Sequence, residues 1–238
     1  MPAPALPRSP YRARVGYTCG MCGRFLLMTS GRDVAEEFSL ADFPELFPRY
    51  NIAPTQAVLA VRAAGSGREG ALLRWGLVPS WARDMKQAPI NARAETAADK
   101  PTFRHAFRKK RCLIPADGFY EWAALEGRKQ PYCFRQGDGR PFAFAGLWER
   151  WEGPGGPVES CAILTTGANE LVRPVHDRMP VILPRLHWQA WLDRDLQDAA
   201  AVAPLLRPYP AGAMRAGPVS TLVNNPRNDR PECLAAAQ

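Results

Sequence analysis

Two cysteines near the start of the chain, Cys19 and Cys22, have the C-x-x-C spacing of zinc knuckles and redox dithiols. A structural zinc ion takes four ligands, usually from two such pairs, and the sequence has no second C-x-x-C and no H-x-x-x-H. A thioredoxin-type dithiol opens a helix after a strand, whereas here proline-rich sequence precedes the pair and a strand-like stretch follows it. We therefore expect neither a metal site nor a cofactor.

The second cysteine has a different chemistry if Met21 is the first residue of the protein. The initiator methionine is removed when the next residue is small, and Cys22 would then have a free α-amine beside its thiol. That amine titrates near about 7.7–8.0, so a useful fraction is neutral and nucleophilic at physiological pH. It can attack an aldehyde to form an imine, and the thiol can then close on the imine carbon to give a five-membered thiazolidine.

Three further stretches contain residues that can move protons or hold a phosphate. In "NARAET", Asn91 can orient a reacting group and Arg93 offers a planar fork for a phosphate. In "ADGFYEW", Glu121 shares a face with Phe119, and a carboxyl beside an apolar ring in a cleft has the raised pKa that a general acid needs. In "HDRMP", His176 can transfer protons near neutral pH. Each also has an ordinary explanation: a turn asparagine, a solvated or ion-paired glutamate, and a hydrogen-bonding histidine.

The elements that must position these residues are mostly short strands. Apolar runs between turn signals predict them at "CGRFLLMT", "AVLAVRA", "ALLRWGLV", "RCLIPADGFYEW", "PYCFR", "PFAFAGLWERW", "VESCAILTT", "MPVIL" and "PVSTLVNN". Helices are expected after Ser30, with Asp33 completing a variant capping box, and at "PTFRHAFRKK", "RLHWQAWLD" and "LQDAAAVAPLL". The stretches "FPELFPRYNIAPTQ" and "PSWARDMKQAPINARAET" are expected to be irregular.

No internal repeat and no linker between two cores interrupts this pattern. It predicts one α+β domain over residues 22–238, built on a curled, mostly antiparallel, barrel-like β-sheet with a few flanking helices. Residues 1–21 contain four prolines and no hydrophobic period before Cys19, so we expect a disordered arm or sequence that is untranslated or removed.

Composition restricts the class of protein. The net charge of +8 favours a polyanionic partner but is also compatible with simple solubility. No apolar run approaches the roughly 18 residues of a membrane span, and no secretory signal opens the chain, so we expect a cytoplasmic protein without a membrane partner. Seven side chains are expected in the core when taken singly: Cys112, Cys133, Cys161, Trp75, Trp81, Trp122 and Trp148.

Eight segments together resemble one known family. They are "MCGRF", "YNIAPTQ", "RWGLVPSWA", "INARAET", "FRKKRCLIPADGFYEW", "FAGLWE", "ILTTGAN" and "HDRMPVIL". In this order and spacing they resemble the SRAP family, the SOS response-associated peptidases and abasic-site-processing proteins. The resemblance extends from Met21 to about Leu192, and more loosely through "PVSTLVNN". No single motif is specific, but their joint occurrence is.

The resemblance implies a function in DNA damage. Members of the family bind single-stranded DNA at abasic sites and cross-link to the ring-opened sugar through an N-terminal cysteine, which shields the lesion. By motif match Cys22 would be the nucleophile, Glu121 the proton shuttle, His176 the promoter of sugar ring opening and cross-link reversal, and Asn91 the residue that positions Cys22 and the sugar. A monomer is expected, associated with the nucleoid when it binds DNA.

The same match assigns four residues to DNA binding. Arg24 and Arg93 would hold flanking phosphates, and Pro54 and Trp81 lie in segments that would line the DNA path. The basic segment "RHAFRKKR" either extends this positive track or is a solvated helix face.

One departure from the family pattern concerns the N-terminus, because 21 residues precede Cys22 and leave it without a free amine. We expect translation to start at Met21 or the arm to be removed, and autoproteolysis by Cys22 with Glu121 and His176 is a further option. The alternatives to a cross-linking or lyase-like enzyme are a cysteine peptidase and a non-covalent reader of modified bases.

Overall fold

The computed structural model describes residues 22–125 and 127–237, so the predicted arm at residues 1–21, including Cys19, lies outside the described residues. The strands of this part are β1 Phe25–Leu27, β2 Leu40–Asp42, β3 Arg49–Ile52, β4 Ala57–Ala64, β5 Gly67–Trp75, β6 Asn91–Arg93, β7 Arg111–Ala116, β8 Gly118–Leu125, β9 Arg128–Gln136, β10 Phe142–Gly153, β11 Gly156–Gly167, β12 Arg178–Pro180, β13 Ile182–Leu183 and β14 Met214–Pro218. The α-helices are α1 Gly31–Phe38, α2 Arg104–Lys109, α3 Trp188–Leu192 and α4 Ala199–Val202.

Five strands close into a barrel, in the order β11-β10-β7-β4-β5 and back to β11. Four of the five pairings are antiparallel, and the closing pair β5–β11 is parallel, with Arg74 opposite Ser160 and Trp75 opposite Cys161. The long strands β10 and β11 supply most of the wall. The prediction of an α+β fold on a curled, mostly antiparallel, barrel-like sheet is confirmed.

A second sheet lies against the barrel and has the order β14-β9-β8-β1-β3, with every pairing antiparallel. Its short strand β1 lies between β3 and β8, with Phe25 opposite both Ile52 and Phe119. Asp117, between β7 and β8, accepts hydrogen bonds from the backbone N–H groups of Met28 and Thr29 just after β1. The segment that follows β1 is therefore held at the junction of β7 and β8.

Aromatic side chains fill the space between the two sheets. The Phe25 ring meets Trp75 edge-on at 5.2 Å between centroids and Phe144 at 5.7 Å. Phe119 stacks on Phe134 at 5.1 Å. Such pairs stabilise a core beyond the area they bury, by about 0.5–1.5 kcal/mol each.

The predicted core residues are buried with some exceptions. Cys112, Cys133, Cys161 and Trp75 are buried, which confirms their assignment to the core. Trp122 and Trp148 are only partly buried, and each packs against a hydrophobic cluster. Trp81 is 66% exposed, so its expected burial is wrong.

Among the local predictions, the start of α1 is confirmed, whereas the two irregular stretches and the closing strand are wrong in part. Ser30 caps α1 by accepting from the backbone N–H of Asp33, and the helix ends at Ser39 in the left-handed conformation. The proline-rich stretch predicted as a loop contains β3, and the second irregular stretch contains β6. The predicted closing strand "PVSTLVNN", residues 218–225, is wrong beyond its first residue, because β14 already ends at Pro218 and Thr221–Asn224 form a 3-10 helix.

No helix among the described residues is long and apolar enough to cross a membrane.

Candidate active site

The backbone nitrogen of Cys22 lies directly on a carboxylate. Its N–H donates to Glu121 Oε1 over 2.8 Å, and both residues are buried. This contact follows from the sheet register, because Tyr120 N–H donates to Arg24 O and aligns the segment before β1 with β8. The backbone φ of Cys22 is +38°, in the left-handed region. Burial, and to a smaller extent the Glu121 charge, raises the pKa of the Cys22 thiol well above its ordinary value.

Glu121 is a buried carboxyl without an ion-pair partner among residues 22–125 and 127–237. Desolvation raises its pKa to about 8, the Cys22 N–H opposes that shift, and the charge of Asp177 adds to it. The explanation of Glu121 as a solvated or ion-paired strand residue is therefore wrong. A carboxyl with this pKa can both donate and accept a proton near neutral pH.

Asn91 approaches Cys22 from the barrel side. It opens β6, which pairs in parallel with β11 so that Asn91 is opposite Ile163. Its Nδ2 donates to Cys22 O over 3.4 Å, a long hydrogen bond. Cys22 is thus held at its nitrogen by Glu121 and at its carbonyl by Asn91.

His176 lies in the loop between β11 and β12. Its Nδ1 accepts from the backbone N–H of Arg178 over 3.0 Å and is 3.2 Å from Asp177 Oδ1. Arg178 fixes this loop from behind, with a two-pronged pair to Glu95 at 2.6 and 2.8 Å and a bond to Thr165 O at 2.6 Å. The imidazole is consequently oriented by its own loop backbone.

One cavity of about 420 Å³ brings several of these residues together. Its lining is Gly23, Arg24, Glu121, Trp122, Lys129, His176 and Asn224. Cys22 lies behind Gly23 and does not itself line the cavity, although its nitrogen reaches Glu121. Three of the sequence-predicted residues therefore share a single cavity: Arg24, Glu121 and His176.

Arg24 is held at one end of its guanidinium. Nη1 donates to Asn51 Oδ1 over 2.8 Å and to Val223 O over 2.6 Å. The guanidinium carbon lies 5.6 Å from the centroid of the Trp122 ring, a cation–π distance. The buried Nε has no hydrogen-bond partner in the described parts of the chain. Nη2 makes no hydrogen bond within the described residues, so it is the donor that remains for a phosphate oxygen.

The remaining predicted site residues lie outside this cavity. Pro54 is half-buried in the turn between β3 and β4, and Arg93 is exposed at the end of β6. Trp81 lines a separate depression of about 640 Å³ together with Arg83 and Lys86. These three positions are compatible with contacts to a long ligand but not with chemistry at Glu121.

Sequence reasoning missed the contribution of the C-terminal segment. Asn224 lines the cavity and accepts from Trp122 Nε1 over 2.7 Å. Lys129 and Trp122 were not singled out as site residues either. The run "VNNPRND" is rich in turn-forming residues, and this is the signal against the strand that was predicted there.

The described residues contain no group of three or more His, Cys, Asp or Glu side chains arranged to hold a metal ion. The chemistry of the site is that of a nitrogen, a thiol, a carboxyl of raised pKa and an imidazole.

The site defines the class of protein by its arrangement: a cysteine nitrogen is held against a buried carboxyl, beside a cavity lined by an arginine and a histidine. The sequence model of the SOS response associated peptidase (SRAP) family matches residues 21–226. The chain belongs to this family.

Three similar proteins each match most of this chain, between 79% and 91% of it. The abasic site processing protein YoqW of Bacillus subtilis (strain 168) is 45% identical over 221 residues, which cover 90% of this chain and 99% of that protein. The abasic site processing protein HMCES of Xenopus tropicalis is 33% identical over 223 residues, which cover 79% of this chain and 66% of that protein. A crystal structure of a Bacteroides thetaiotaomicron protein superposes with a TM-score of 0.83 at 27% identity, covering 91% of this chain and 100% of that one.

Proposed function

We propose that this protein processes abasic sites in single-stranded DNA by covalent capture through Cys22. The names of the similar proteins support a role in abasic-site processing. The single observation that supports the covalent chemistry is the 2.8 Å contact between the Cys22 nitrogen and Glu121 Oε1. In a chain that begins at Cys22 this nitrogen is a primary amine, beside its own thiol and a carboxyl able to exchange protons with it.

The proposed reaction has two bond-forming steps. The amine attacks the aldehyde carbon of the ring-opened sugar, and the resulting carbinolamine loses one water to give an imine. Glu121 protonates the departing hydroxyl and then accepts a proton. The thiol sulfur next adds to the imine carbon, and its proton passes to the nitrogen. The product is a thiazolidine, with the net loss of one water.

The thiol and the carboxyl suit this order of events. Because burial raises the pKa of the Cys22 thiol, the sulfur stays protonated and does not compete with the amine for the aldehyde. Glu121, with a pKa of about 8, exists in both protonation states near neutrality. His176, which lines the same cavity, is the proposed proton-transfer group for opening the sugar ring, and Asn91 holds Cys22 through its carbonyl.

The DNA strand would pass across the mouth of the cavity. Arg24 and Arg93 are the proposed phosphate ligands, and the exposed ring of Trp81 can stack on a base. Stacking contributes about 1–3 kcal/mol per base without sequence preference, which suits a lesion in any sequence. Pro54 is assigned to the same path.

A cysteine autopeptidase that releases residues 1–21 is the second candidate, and the same contact favours it. If a residue precedes Cys22, the nitrogen beside Glu121 is the leaving group for cleavage of that peptide bond. Attack of the Cys22 sulfur on the preceding carbonyl carbon would break the C–N bond, with Glu121 protonating the amine, and water would hydrolyse the thioester. The two candidates can act in sequence, because cleavage generates the amine.

The decisive experiment uses protein expressed from Met21 and an oligonucleotide with one abasic site. We expect an adduct that survives heating, with a mass equal to protein plus DNA minus one water. Cys22→Ala should lose it completely, and an oligonucleotide with a tetrahydrofuran in place of the abasic sugar should give none. If the parent protein and Cys22→Ala bind the DNA equally and neither forms an adduct, the proposal is contradicted and a non-covalent reader is indicated. Cleavage of added peptides with no response to DNA would indicate a peptidase.

A further inference from the structure

Asn51 is a fully buried side chain whose whole amide is engaged. Its Oδ1 accepts from Arg24 Nη1 over 2.8 Å. Its Nδ2 donates to Val223 O over 3.2 Å, to Asn225 O over 3.0 Å and to Asn228 O over 2.7 Å. One residue of β3 therefore connects the cavity arginine with the C-terminal segment.

Asp229 fastens the same segment to the same strand. Its Oδ1 accepts from the backbone N–H groups of Tyr50 and Asn51, at 2.6 and 2.9 Å. Its Oδ2 pairs with Arg49 Nε. We call residues 223–229 with these bonds the C-terminal clasp. Since the clasp is bound through its backbone and two side chains, its position is fixed relative to β3.

The clasp reaches the cavity at two points. Asn224 lines it and bonds to Trp122 Nε1, and Val223 O takes the second bond of Arg24 Nη1. Asn51 and Val223 O together occupy one end of the Arg24 guanidinium. The orientation of the remaining donors of Arg24 thus depends on Asn51.

Only asparagine provides this set of bonds at a side chain of this size. It offers one acceptor for Arg24 and two N–H donors for the clasp carbonyls, whereas aspartate has no donor and leucine has neither.

We propose that Asn51 is a positioning residue for DNA binding, acting through Arg24 and the C-terminal clasp. It holds Arg24 Nη1 so that the rest of the guanidinium faces a phosphate of the strand, and it keeps Asn224 at the cavity wall. This inference rests on the proposed function, in which Arg24 is a phosphate ligand.

Reversible binding to an undamaged single-stranded oligonucleotide tests the inference, with the full chain in a Cys22→Ala background. The slope of log affinity against log salt is negative, and its magnitude, called the salt slope below, falls by about 0.7 for each phosphate contact that is lost from a single strand. We expect Arg24→Gln to lower the slope by about 0.7, Asn51→Ala to lower it equally, and the double variant to show no further decrease.

Gln136→Ala is the matched control, because it removes a partly buried hydrogen bond from Gln136 Nε2 to the Tyr209 hydroxyl, away from the cavity. It should lower the melting temperature and leave the salt slope unchanged. If Asn51→Ala does not fold, Asp229→Ala loosens the clasp without removing Asn51 and should lower the slope in the same direction.

Three results would contradict the inference. If Arg24→Gln lowers the slope and Asn51→Ala, folded at the assay temperature, does not, Asn51 is only structural and the proposed function is untouched. If the double variant loses the sum of both decreases, Asn51 does not act through Arg24. If the parent protein shows no salt-dependent binding, the proposed function fails together with the inference.

Discussion

At the scale of single residues, Glu121 determines how the site depends on pH. Burial leaves its carboxyl mostly protonated at neutrality, while the Cys22 N–H and the nearby charge of Asp177 act in opposite directions on its pKa. The group therefore binds a proton in the folded chain over a pH range in which it would be ionised in the unfolded chain. This difference in bound protons makes the stability of the fold depend on pH, and the raised pKa lets Glu121 exchange protons near neutrality.

The first prediction concerns stability against pH. Because the pKa of Glu121 is raised from 4.5 to about 8, the folded state binds more protons than the unfolded state between these values. The free energy of unfolding should therefore fall as pH rises through this window, by up to about 1.4 kcal/mol per pH unit. Relative to the parent, Glu121→Gln should become progressively more stable from pH 5 to about pH 8. Denaturant titrations of both full chains measure this, and a pH-independent difference would contradict it.

The second prediction concerns rate. In the protein expressed from Met21, Glu121→Gln should slow adduct formation with abasic DNA by about 10²–10⁴-fold, the usual contribution of a positioned acid–base group. Single-turnover time courses on denaturing gels give the rate. Glu152→Gln, which affects an exposed ion pair with Arg150, is the control and should react at the parental rate. Unchanged kinetics for Glu121→Gln would remove Glu121 from the mechanism.

The roles of these residues were predictable from the sequence only in part. Glu121 could be identified because alternation in "ADGFYEW" gives it the same face as Phe119, which is in the core. Asn51 could not, because its value depends on carbonyls more than 170 residues away, at Val223, Asn225 and Asn228. Local patterns hold no information about such distant backbone partners.

At the scale of elements, one side chain adds to the pairing that holds the short strand β1 between β3 and β8. Asp117 accepts from Met28 N–H, Thr29 N–H and the Thr29 hydroxyl, and so joins the end of β1 to the junction of β7 and β8. Cys22 lies just before β1, and Glu121 lies on β8. The junction therefore helps to hold the strand that follows Cys22 against the strand that contains Glu121.

The third prediction tests how much the Asp117 junction stabilises the fold. Asp117→Ala should lower the free energy of unfolding by about 2–3 kcal/mol, because three donors lose a charged acceptor. Asp33→Ala, which removes an exposed partner of the Ser30 hydroxyl, is the control and should cost less than about 1 kcal/mol. Urea titration measures both. Equal losses in the two variants would show that the Asp117 junction has no special weight.

Element boundaries were predictable where punctuation is local. Ser30 and Asp33 predict α1, and the apolar runs predict β4, β5 and β7 to β11, whereas β6 lies in a stretch predicted to be irregular. The strand β3 was missed because Pro48 and Pro54 flank it closely and mask four extended residues. The strand predicted at residues 218–225 was wrong because "STLV" is apolar enough for a strand, although β14 ends at Pro218 and Ser220 caps a 3-10 turn there.

At the scale of the whole molecule, the barrel and the candidate site share their longest strands. The strand β11 pairs with β10, β5, β6 and β12, and so carries Asn91 on one side and the His176 loop at its end. The barrel wall therefore positions both groups. A closed barrel could be predicted from many short strands without a linker, but its parallel closing pair could not, because strand direction depends on connections outside any one segment.

The fourth prediction tests how tightly the barrel is packed. A Cβ at Gly146 would lie 2.8 Å from Cys112 Sγ and 2.9 Å from Ile114 Cδ1, so Gly146→Ala should lower the free energy of unfolding by about 1–3 kcal/mol. Gly217→Ala in β14 meets nothing within 4 Å and is the control. Thermal and urea unfolding measure both. Parental stability of Gly146→Ala would show that the barrel yields at this point.

The left-handed backbone of Cys22 has a consequence for the proposed removal of the residues that precede it. The torsion φ measures rotation about N–Cα relative to the preceding carbonyl carbon, and a positive value strains a residue with a Cβ by about 1–2 kcal/mol. A residue without a predecessor has no preceding carbonyl and hence no such clash. In the proposed processing, release of the preceding residue therefore also relieves the torsional strain at Cys22.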